Sequence, residues 1–181
     1  MEEKTLLKLT EFFIENPFDE FYLREIAKRL KISPFAVKKY SEFLLKQGFI
    51  NDKRKANLRY FMANNDSLFY KYCKVAYNIR EIESSGLIDY LKENVAGISS
   101  IVLFGSLAKG NNNKRSDIDL IVIGKKRDLD IFKFQEKLDA EINLHLFSWS
   151  QWNQNIKRNS AFYYDVISGG MALFGEMPIV K

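Results

Sequence analysis

The spacing of apolar residues in the first third of the chain predicts three helices followed by two short strands. Apolar positions recur at close to helical spacing over Glu2–Glu15, Tyr22–Leu30 and Pro34–Lys46. Ser33 is placed to cap the third helix, and Gly48 is placed to end it in a left-handed conformation. The runs "FIND" and "LRYFMAN" flank the basic segment "KRKAN" and predict a hairpin with that segment at its tip.

The pattern changes after residue 65. A long helical pattern rich in aromatic residues covers 66–84 and predicts a bridging helix, which "SSG" ends. Beyond it helices and strands alternate, which is typical of an α/β or α+β domain. The predicted elements are a helix over 87–94, strands at "SSIVLFGS", "DIDLIVIG" and "EINLHLFS", helices over about 129–138 and 149–168, and a last short strand at "MALFGE". We therefore predict a domain over 1–64, a bridging helix over 65–85 and a second domain over 86–181.

Composition narrows the class of protein. The chain has 181 residues, of which 46% are hydrophobic and 28% charged, as in folded globular proteins. No apolar run approaches the roughly 20 residues that cross a bilayer, and the start does not resemble an export signal. We expect a cytoplasmic protein without membrane contact. The single cysteine, Cys73, and the single histidine, His145, exclude an intrachain disulfide and a cysteine- or histidine-rich metal cluster.

The positive charge is concentrated in the first domain. The net charge is +5, yet residues 22–64 contain eleven lysines and arginines against three acids. From residue 65 onward, fifteen basic residues nearly balance fourteen acidic ones. This distribution indicates a module that binds a polyanion, joined to a nearly neutral one. A solvated surface rich in lysine is the alternative interpretation.

The segment "LFGSLAKGNNNKRSDIDLIVIG" contains the candidate chemistry. Asp117 and Asp119 occupy alternate positions of a predicted strand, so both carboxylates point to the same face and repel each other. A magnesium ion between them would compensate the charge, since hard oxygen ligands suit Mg²⁺. A turn at Gly105 and Ser106 would bring backbone amides and a hydroxyl to a phosphate. The alternatives are a solvated strand end, or an aspartate paired with a nearby lysine or arginine in 114–115.

The spacing of these residues resembles a known family. Gly105 and Ser106 are followed by ten residues and then by Asp117-Ile-Asp119, with apolar residues around the acids. This is similar to the polymerase-beta-like nucleotidyltransferase superfamily, specifically its minimal nucleotidyltransferase branch in prokaryotes. The resemblance implies an α+β fold, a small mixed sheet with flanking helices. It also implies Mg²⁺ (or Mn²⁺) dependence and transfer of a nucleoside monophosphate from a nucleoside triphosphate to a hydroxyl.

The same resemblance implies roles for individual residues. Gly105 and Ser106 would bind the nucleotide, and Asp117 and Asp119 would hold the metal and take part in catalysis. Members of the superfamily usually carry a third carboxylate on the next strand, where this chain has Asn143. Glu141, two residues earlier, is our candidate for the third catalytic acid. His145 is a further candidate base, and a structural residue at the sheet edge is the favoured alternative for it. Minimal nucleotidyltransferases often pair with a small helical HEPN protein, which is therefore an expected partner.

Residues 1 to about 64 resemble a winged helix-turn-helix. That resemblance implies that the helix over 34–46 enters the major groove of DNA and that the hairpin forms the wing. Cations at such positions mostly neutralise phosphates. The predicted nucleic-acid contacts are Lys38, Lys39, Lys46, Lys53, Arg54, Lys55 and Arg59. Helix-turn-helix modules also form protein contacts, and the aromatic-rich helix over 66–84 suggests a homodimer.

Two functions follow from these features. The first is a magnesium-dependent nucleotidyltransferase that acts on a protein or nucleic-acid hydroxyl and binds DNA through its N-terminal domain. The alternative is a non-catalytic winged-helix regulator or antitoxin-like protein, whose second domain only binds a nucleotide or a partner. The intact Gly-Ser and Asp-x-Asp pairs favour the enzyme, whereas Asn143 favours the regulator.

Overall fold

A computed structural model describes residues 2–125, 128–158 and 160–180. The chain forms two compact units, Met1–Tyr77 and Asn78–Lys181. The division falls inside the helix predicted as a bridge, so this helix begins in the first unit and ends in the second. In the described part of the chain, no helix is long and apolar enough to cross a membrane.

The first unit consists of short helices and a small antiparallel sheet. Its three strands are arranged in the order β1-β3-β2. In chain order its elements are α1 (Glu2–Glu15), β1 (Glu20–Tyr22), α2 (Leu23–Leu30), α3 (Pro34–Lys46), β2 (Ile50–Lys55), β3 (Leu58–Ala63) and the start of α4 (Leu68–Ser85).

The ends of α3 follow the predicted local chemistry. The Ser33 hydroxyl accepts a hydrogen bond from the Ala36 amide at 3.1 Å, which satisfies one of the free donors of the first turn. Gly48, just beyond α3, has a φ of 67°, a conformation that favours glycine. Both predictions are confirmed.

Two details of the first unit differ from the prediction. The strand β1 was missed because three residues are too few to show a periodic pattern; it forms by pairing with β3. The hairpin is tighter than predicted, since Lys53 and Lys55 lie within β2 and face Tyr60 and Leu58 across the ladder. The cations of this hairpin therefore alternate in direction along a strand instead of lying in the tip of the hairpin.

The second unit is built around a mixed four-stranded sheet. Its order is β6-β5-β4-β7; β4 is antiparallel to β5 and β7, and β6 is parallel to β5. Its elements after α4 are α5 (Leu87–Asn94), β4 (Ser100–Phe104), α6 (Gly105–Lys109), β5 (Ile118–Ile123), α7 (Phe132–Leu138), β6 (Ile142–Phe147), α8 (Trp149–Arg158), α9 (Ser160–Gly169) and β7 (Met171–Gly175). The predicted α+β class is therefore confirmed at the level of mixed helices and small sheets.

The boundaries of two predicted helices changed. The helix expected from residue 129 begins at Phe132. Just before it, the Asp130 carboxylate accepts a hydrogen bond from the Phe132 amide at 3.2 Å, which folds the chain into a local turn instead of a helix. The helical region expected over 149–168 appears as α8 and α9. Residue 159, between them, lies outside the described residues.

Side chains alternate between the two faces of this sheet and pack into separate clusters. Ile118, Leu120 and Val122 of β5 point to one face, where they pack with side chains of α5 and α7. Ile121 and Ile123 point to the other face, where they pack with Trp152 of α8 and with α9. Asp119 shares the second face by the two-residue period of the strand. Burial on both faces fixes the register of β5 and therefore the direction of this carboxylate.

Candidate functional site

Asp117 and Asp119 lie at the start of β5. Asp117 directly precedes the strand and is exposed, whereas Asp119 is its second residue and is half-buried. The intervening Ile118 is 3% exposed and packs into the opposite core cluster. The predicted side-by-side placement of the two carboxylates is therefore observed.

Asn143 on the neighbouring strand joins the two carboxylates. The parallel register places Asn143 directly opposite Asp119. The Asn143 side-chain amide donates to Asp119 Oδ1 at 3.0 Å and to Asp117 Oδ2 at 3.3 Å. A neutral donor thus lies between two like charges and reduces their repulsion. From the sequence we noted that Asn143 stands where the family usually has a third acid. We did not predict its hydrogen bonds to the two aspartates.

Gly105 forms the wall of the site next to Asp119. Its φ is 72°, and a Cβ atom built there would lie 2.3 Å from Asp119 Oδ2. Glycine is required for both reasons, since other residues avoid this conformation and a side chain would displace the carboxylate. Ser106 follows as the second residue of α6 and is partly exposed. The structure therefore brings the Gly-Ser turn against the acid pair.

A short polar loop connects α6 to the aspartates. The Ser116 hydroxyl accepts from the Asn113 amide at 2.9 Å, and the Asn113 side chain accepts from the Arg115 amide at 2.8 Å. These bonds fold the loop on itself just before Asp117. Among the ion pairs of the described residues, neither Asp117 nor Asp119 pairs with Lys114 or Arg115. The alternative of acids neutralised by neighbouring cations is therefore not observed.

Two contacts that sequence reasoning missed hold α6 in place. The buried Asn78 amide donates to the Leu107 carbonyl and to Asn112 Oδ1, both at 3.0 Å. Lys109 Nζ lies 2.6 Å from Asp165 Oδ1 and ties α6 to α9. A polar residue at a buried helical position was the available signal for Asn78. The hydrogen-bond partners of Asn78 are about thirty residues away along the chain, so they could not be predicted from its position in the helix.

Glu141 directly precedes β6, and His145 lies within this strand. Glu141 is exposed, and its carbonyl accepts from the Ile118 amide at 2.8 Å. The His145 ring lies 5.8 Å from the rings of Phe104 and Phe162 and is stacked on Phe147 at 6.5 Å. His145 is thus part of an aromatic cluster. The catalytic role of Glu141 stays a prediction.

The donor set limits how the site can hold a metal ion. Across residues 2–125, 128–158 and 160–180, no group of three or more His, Cys, Asp or Glu side chains is placed to bind one. Glu141 therefore does not complete a three-acid set with Asp117 and Asp119. Two adjacent carboxylates are nevertheless the usual protein share of a magnesium site whose other ligands are water and substrate phosphates. The residues present fit an ion of that kind.

The predicted nucleic-acid contacts in the first unit fall into two groups. Lys38, Lys39, Lys46 and Arg54 are exposed. Lys53, Lys55 and Arg59 are engaged by acids of the same unit. Lys53 and Lys55 both pair with Glu20, the latter at 2.6 Å, and their hydrogen bonds lower the pKa of the Glu20 carboxyl.

Arg59 is bound on two sides. It pairs with Asp52 at 2.6 Å and with Glu42 of α3, and these hydrogen bonds raise the pKa of the guanidinium. Glu42 and Asp52 were counted in the charge balance of the region, but their pairing with Arg59 was not predicted. The charge available to an external partner is consequently smaller than the excess in the sequence suggests.

The second unit has a sheet, a Gly-Ser turn and an acid pair of the kind found in nucleotidyl-transferring proteins. A family profile described as "Polymerase beta, Nucleotidyltransferase" matches residues 85–177. The chain belongs to this family, as the spacing of Gly105, Ser106, Asp117 and Asp119 predicted. Nucleotidyltransferases of this fold generally use divalent metals.

Two solved structures are distantly similar to the chain. A crystal structure of a toxin-antitoxin with AMP-PNP is 24% identical, with a TM-score of 0.38, covering 50% of this chain and 71% of that one. A mutant of the toxin-antitoxin MntA-HpeT is also 24% identical, with a TM-score of 0.37, covering 51% and 72%. No curated protein matches the chain. The family assignment rests on the profile match and not on these structures.

Proposed function

We propose that the second unit is a magnesium-dependent nucleotidyltransferase that transfers a nucleoside monophosphate from a nucleoside triphosphate to a hydroxyl of a protein or nucleic acid. The observation that carries this proposal is the acid pair. Two carboxylates lie side by side with a neutral amide between them and with Gly105 against Asp119. Within a domain of this family, such a pair is suited to a divalent cation.

The residues would divide the work as follows. Asp117 and Asp119 would hold Mg²⁺ or Mn²⁺, which when bound polarises the triphosphate and balances charge during the displacement. The backbone at Gly105 and the Ser106 hydroxyl would bind phosphate oxygens, as exposed amides and hydroxyls do. Asn78 and the Asn113–Ser116 turn would keep these groups in place before the nucleotide arrives.

Removing the charge of the acid pair tests the transfer. We expect that Asp117→Asn combined with Asp119→Asn lowers label transfer from a radioactive nucleoside triphosphate by at least about 100-fold, because the charge-stabilising group is lost. The assay uses the four nucleotides, magnesium and cell extract. Transfer that survives in the double variant would reject the proposed metal ligands.

A matched variant tests Glu141 in the same assay. Glu141→Gln keeps the shape of the side chain and removes its ability to take a proton. If Glu141 deprotonates the acceptor hydroxyl, transfer falls by about 100-fold or more while nucleotide binding is unchanged. Unchanged transfer would show that the chain works without this acid.

We also propose that the first unit is a winged helix-turn-helix that binds DNA. Its order of helix, strand, two helices and hairpin, and the exposed lysines 38, 39 and 46 of α3, support this. Replacing Lys53, Arg54 and Lys55 by alanine should weaken DNA binding and flatten its salt dependence by up to about three units. A larger loss is expected for Arg54→Ala than for Lys53→Ala, since Glu20 already engages Lys53. Unchanged affinity in the triple variant would reject the wing assignment.

A second function is favoured by Asn143. An amide accepts no proton at neutral pH, so a domain with Asn143 at the expected acid can bind nucleotide without transferring it. The chain would then be a DNA-binding regulator or antitoxin-like protein. Nucleotide-dependent DNA binding without label transfer would favour this function over the enzyme. A HEPN-type helical partner and a homodimer through residues 66–84 remain expectations under either function.

A further inference from the structure

We propose that Asn143 makes metal binding depend on the nucleotide: the acid pair binds a divalent cation tightly only together with the triphosphate. Asn143 is on this account a positioning residue. The inference rests on the proposed function, since it concerns the same metal and nucleotide. It goes beyond that function by assigning an order of occupancy to the site and a role to the residue at the missing acid.

The contact geometry provides the first argument. The Asn143 amide donates to one oxygen of each carboxylate, at 3.0 Å and 3.3 Å. A cation held by Asp117 and Asp119 would compete with these hydrogen bonds for carboxylate oxygens. The Asn143 amide would then have to give up its donation to at least one of the two acids. These hydrogen bonds already reduce the repulsion between the two carboxylates, so an ion alone gains less by separating them.

The charge of the site provides the second argument. Cation affinity rises with the number of charged oxygen ligands. Asp117 and Asp119 supply two negative charges, and the described residues offer no third acid to the group. The phosphates of a nucleoside triphosphate would supply the missing charged oxygens. The ion and the nucleotide should therefore bind cooperatively, each improving the affinity for the other by the same factor.

Asn143→Asp is a close test of this idea, because aspartate has nearly the same shape as asparagine. The substitution replaces a donor to both acids by a third acid in the same place. Mn²⁺ is titrated into the protein, alone and with a non-hydrolysable ATP analogue. Free Mn²⁺ is measured by electron paramagnetic resonance and corrected with a titration of the analogue without protein. We expect the analogue to tighten Mn²⁺ binding by the unchanged protein at least about tenfold.

The variant should lose most of this dependence. Asn143→Asp should bind Mn²⁺ alone at least about tenfold more tightly than the unchanged chain, and the analogue should add little. Its metal-free melting temperature should fall, because three acids then repel one another, and Mn²⁺ alone should restore it. Asn143→Ala is the matched control, since it removes the amide without adding charge; its Mn²⁺ affinity without nucleotide should stay below that of Asn143→Asp.

The outcomes separate this inference from the proposed function. Equal Mn²⁺ affinity of the unchanged chain with and without the analogue would overturn the inference, as would Asn143→Asp binding Mn²⁺ alone no better than Asn143→Ala. Cooperative binding without label transfer would support the inference and remove the transferase. Label transfer together with Mn²⁺ binding that does not depend on the nucleotide would support the transferase and reject the inference. If Asn143→Asp does not fold, the comparison of the unchanged chain with and without the analogue still decides.

Discussion

The basic hairpin of the first unit and the acid pair of the second unit compensate their charges in opposite ways. In the hairpin, Glu20 lies between Lys53 and Lys55, so opposite charges meet within the chain. At the acid pair, Asp117 and Asp119 meet each other and share a neutral amide. The first arrangement offsets one of its two positive charges within the chain. The second keeps its net negative charge.

This contrast shows which charged groups are not paired within the described part of the chain and are therefore available to bind a ligand. From composition alone the region 22–64, which includes the hairpin, is the strongest charged feature, because it has an excess of cations. The ion pairs of Glu20, Asp52 and Glu42 remove part of that excess. The acid pair is inconspicuous in the charge balance, yet among the described residues no cation pairs with it. Net charge of a region is therefore a weaker guide to a binding site than unbalanced charge in a fixed geometry.

The largest effect on stability is expected from substitution of Gly105, which lies against Asp119. Gly105→Ala should lower the free energy of unfolding by about 2–4 kcal/mol, because it adds a strained backbone and a Cβ close to Asp119. It should also abolish Mn²⁺-dependent nucleotide binding. Urea denaturation and analogue titration measure the two effects.

Gly97→Ala is a matched control for Gly105. Gly97 has a φ of 62°, but a Cβ there would meet nothing within 4 Å. Its substitution carries the backbone cost of about 1 kcal/mol without the clash. Equal losses for the two glycines would show that contact with Asp119 contributes nothing.

The buried Lys74 in the first unit is a third charged group to compare with the hairpin and the acid pair. Lys74 is 1% exposed, and burial lowers its pKa to about 8. The unfolded amine holds its proton up to a higher pH, so the folded state gains stability as pH rises above 8. Relative to Lys74→Met, the unchanged chain should gain about 1 kcal/mol between pH 8 and 9.

Urea denaturation at both pH values measures this gain. Lys71→Met, in the same helix at a partly exposed position, is the control for replacing a lysine by methionine. A flat difference between the unchanged chain and Lys74→Met would mean that burial does not perturb this amine.

A smaller effect is expected from releasing the hairpin cations. Glu20→Gln removes the carboxylate that holds Lys53 and Lys55. DNA affinity should rise about threefold and its salt dependence should steepen by up to about two units, since two more cations can meet phosphates. Fluorescence anisotropy at several salt concentrations measures both.

Glu3→Gln, an exposed acid of α1, makes the same change in net charge away from the hairpin. An equal rise in affinity for the two variants would show that net charge, and not the ion pair, limits binding. No rise for Glu20→Gln would place the hairpin away from the nucleic acid.

The sequence by itself determined the local features of this protein. The spacing of apolar residues predicted α3 and α5 with their observed bounds. The number of residues between the Gly105-Ser106 pair and the Asp117-Ile-Asp119 segment predicted the family. These features depend on residues close together along the chain, where the periods of helix and strand act directly. The alternation around Asp117 also predicted that both acids share a face.

Tertiary structure decided which distant groups meet. Asn143 reaches the acid pair because β6 joins β5 in one particular parallel register, and Glu20 reaches Lys53 and Lys55 because β1 joins the far side of β3. A shift of one residue in either sheet would turn these side chains to the opposite face. Register is set by the packing of whole faces against the core. The contacts of Asn143 with the acid pair and of Glu20 with the lysines therefore became visible only with the strand pairing of the two sheets.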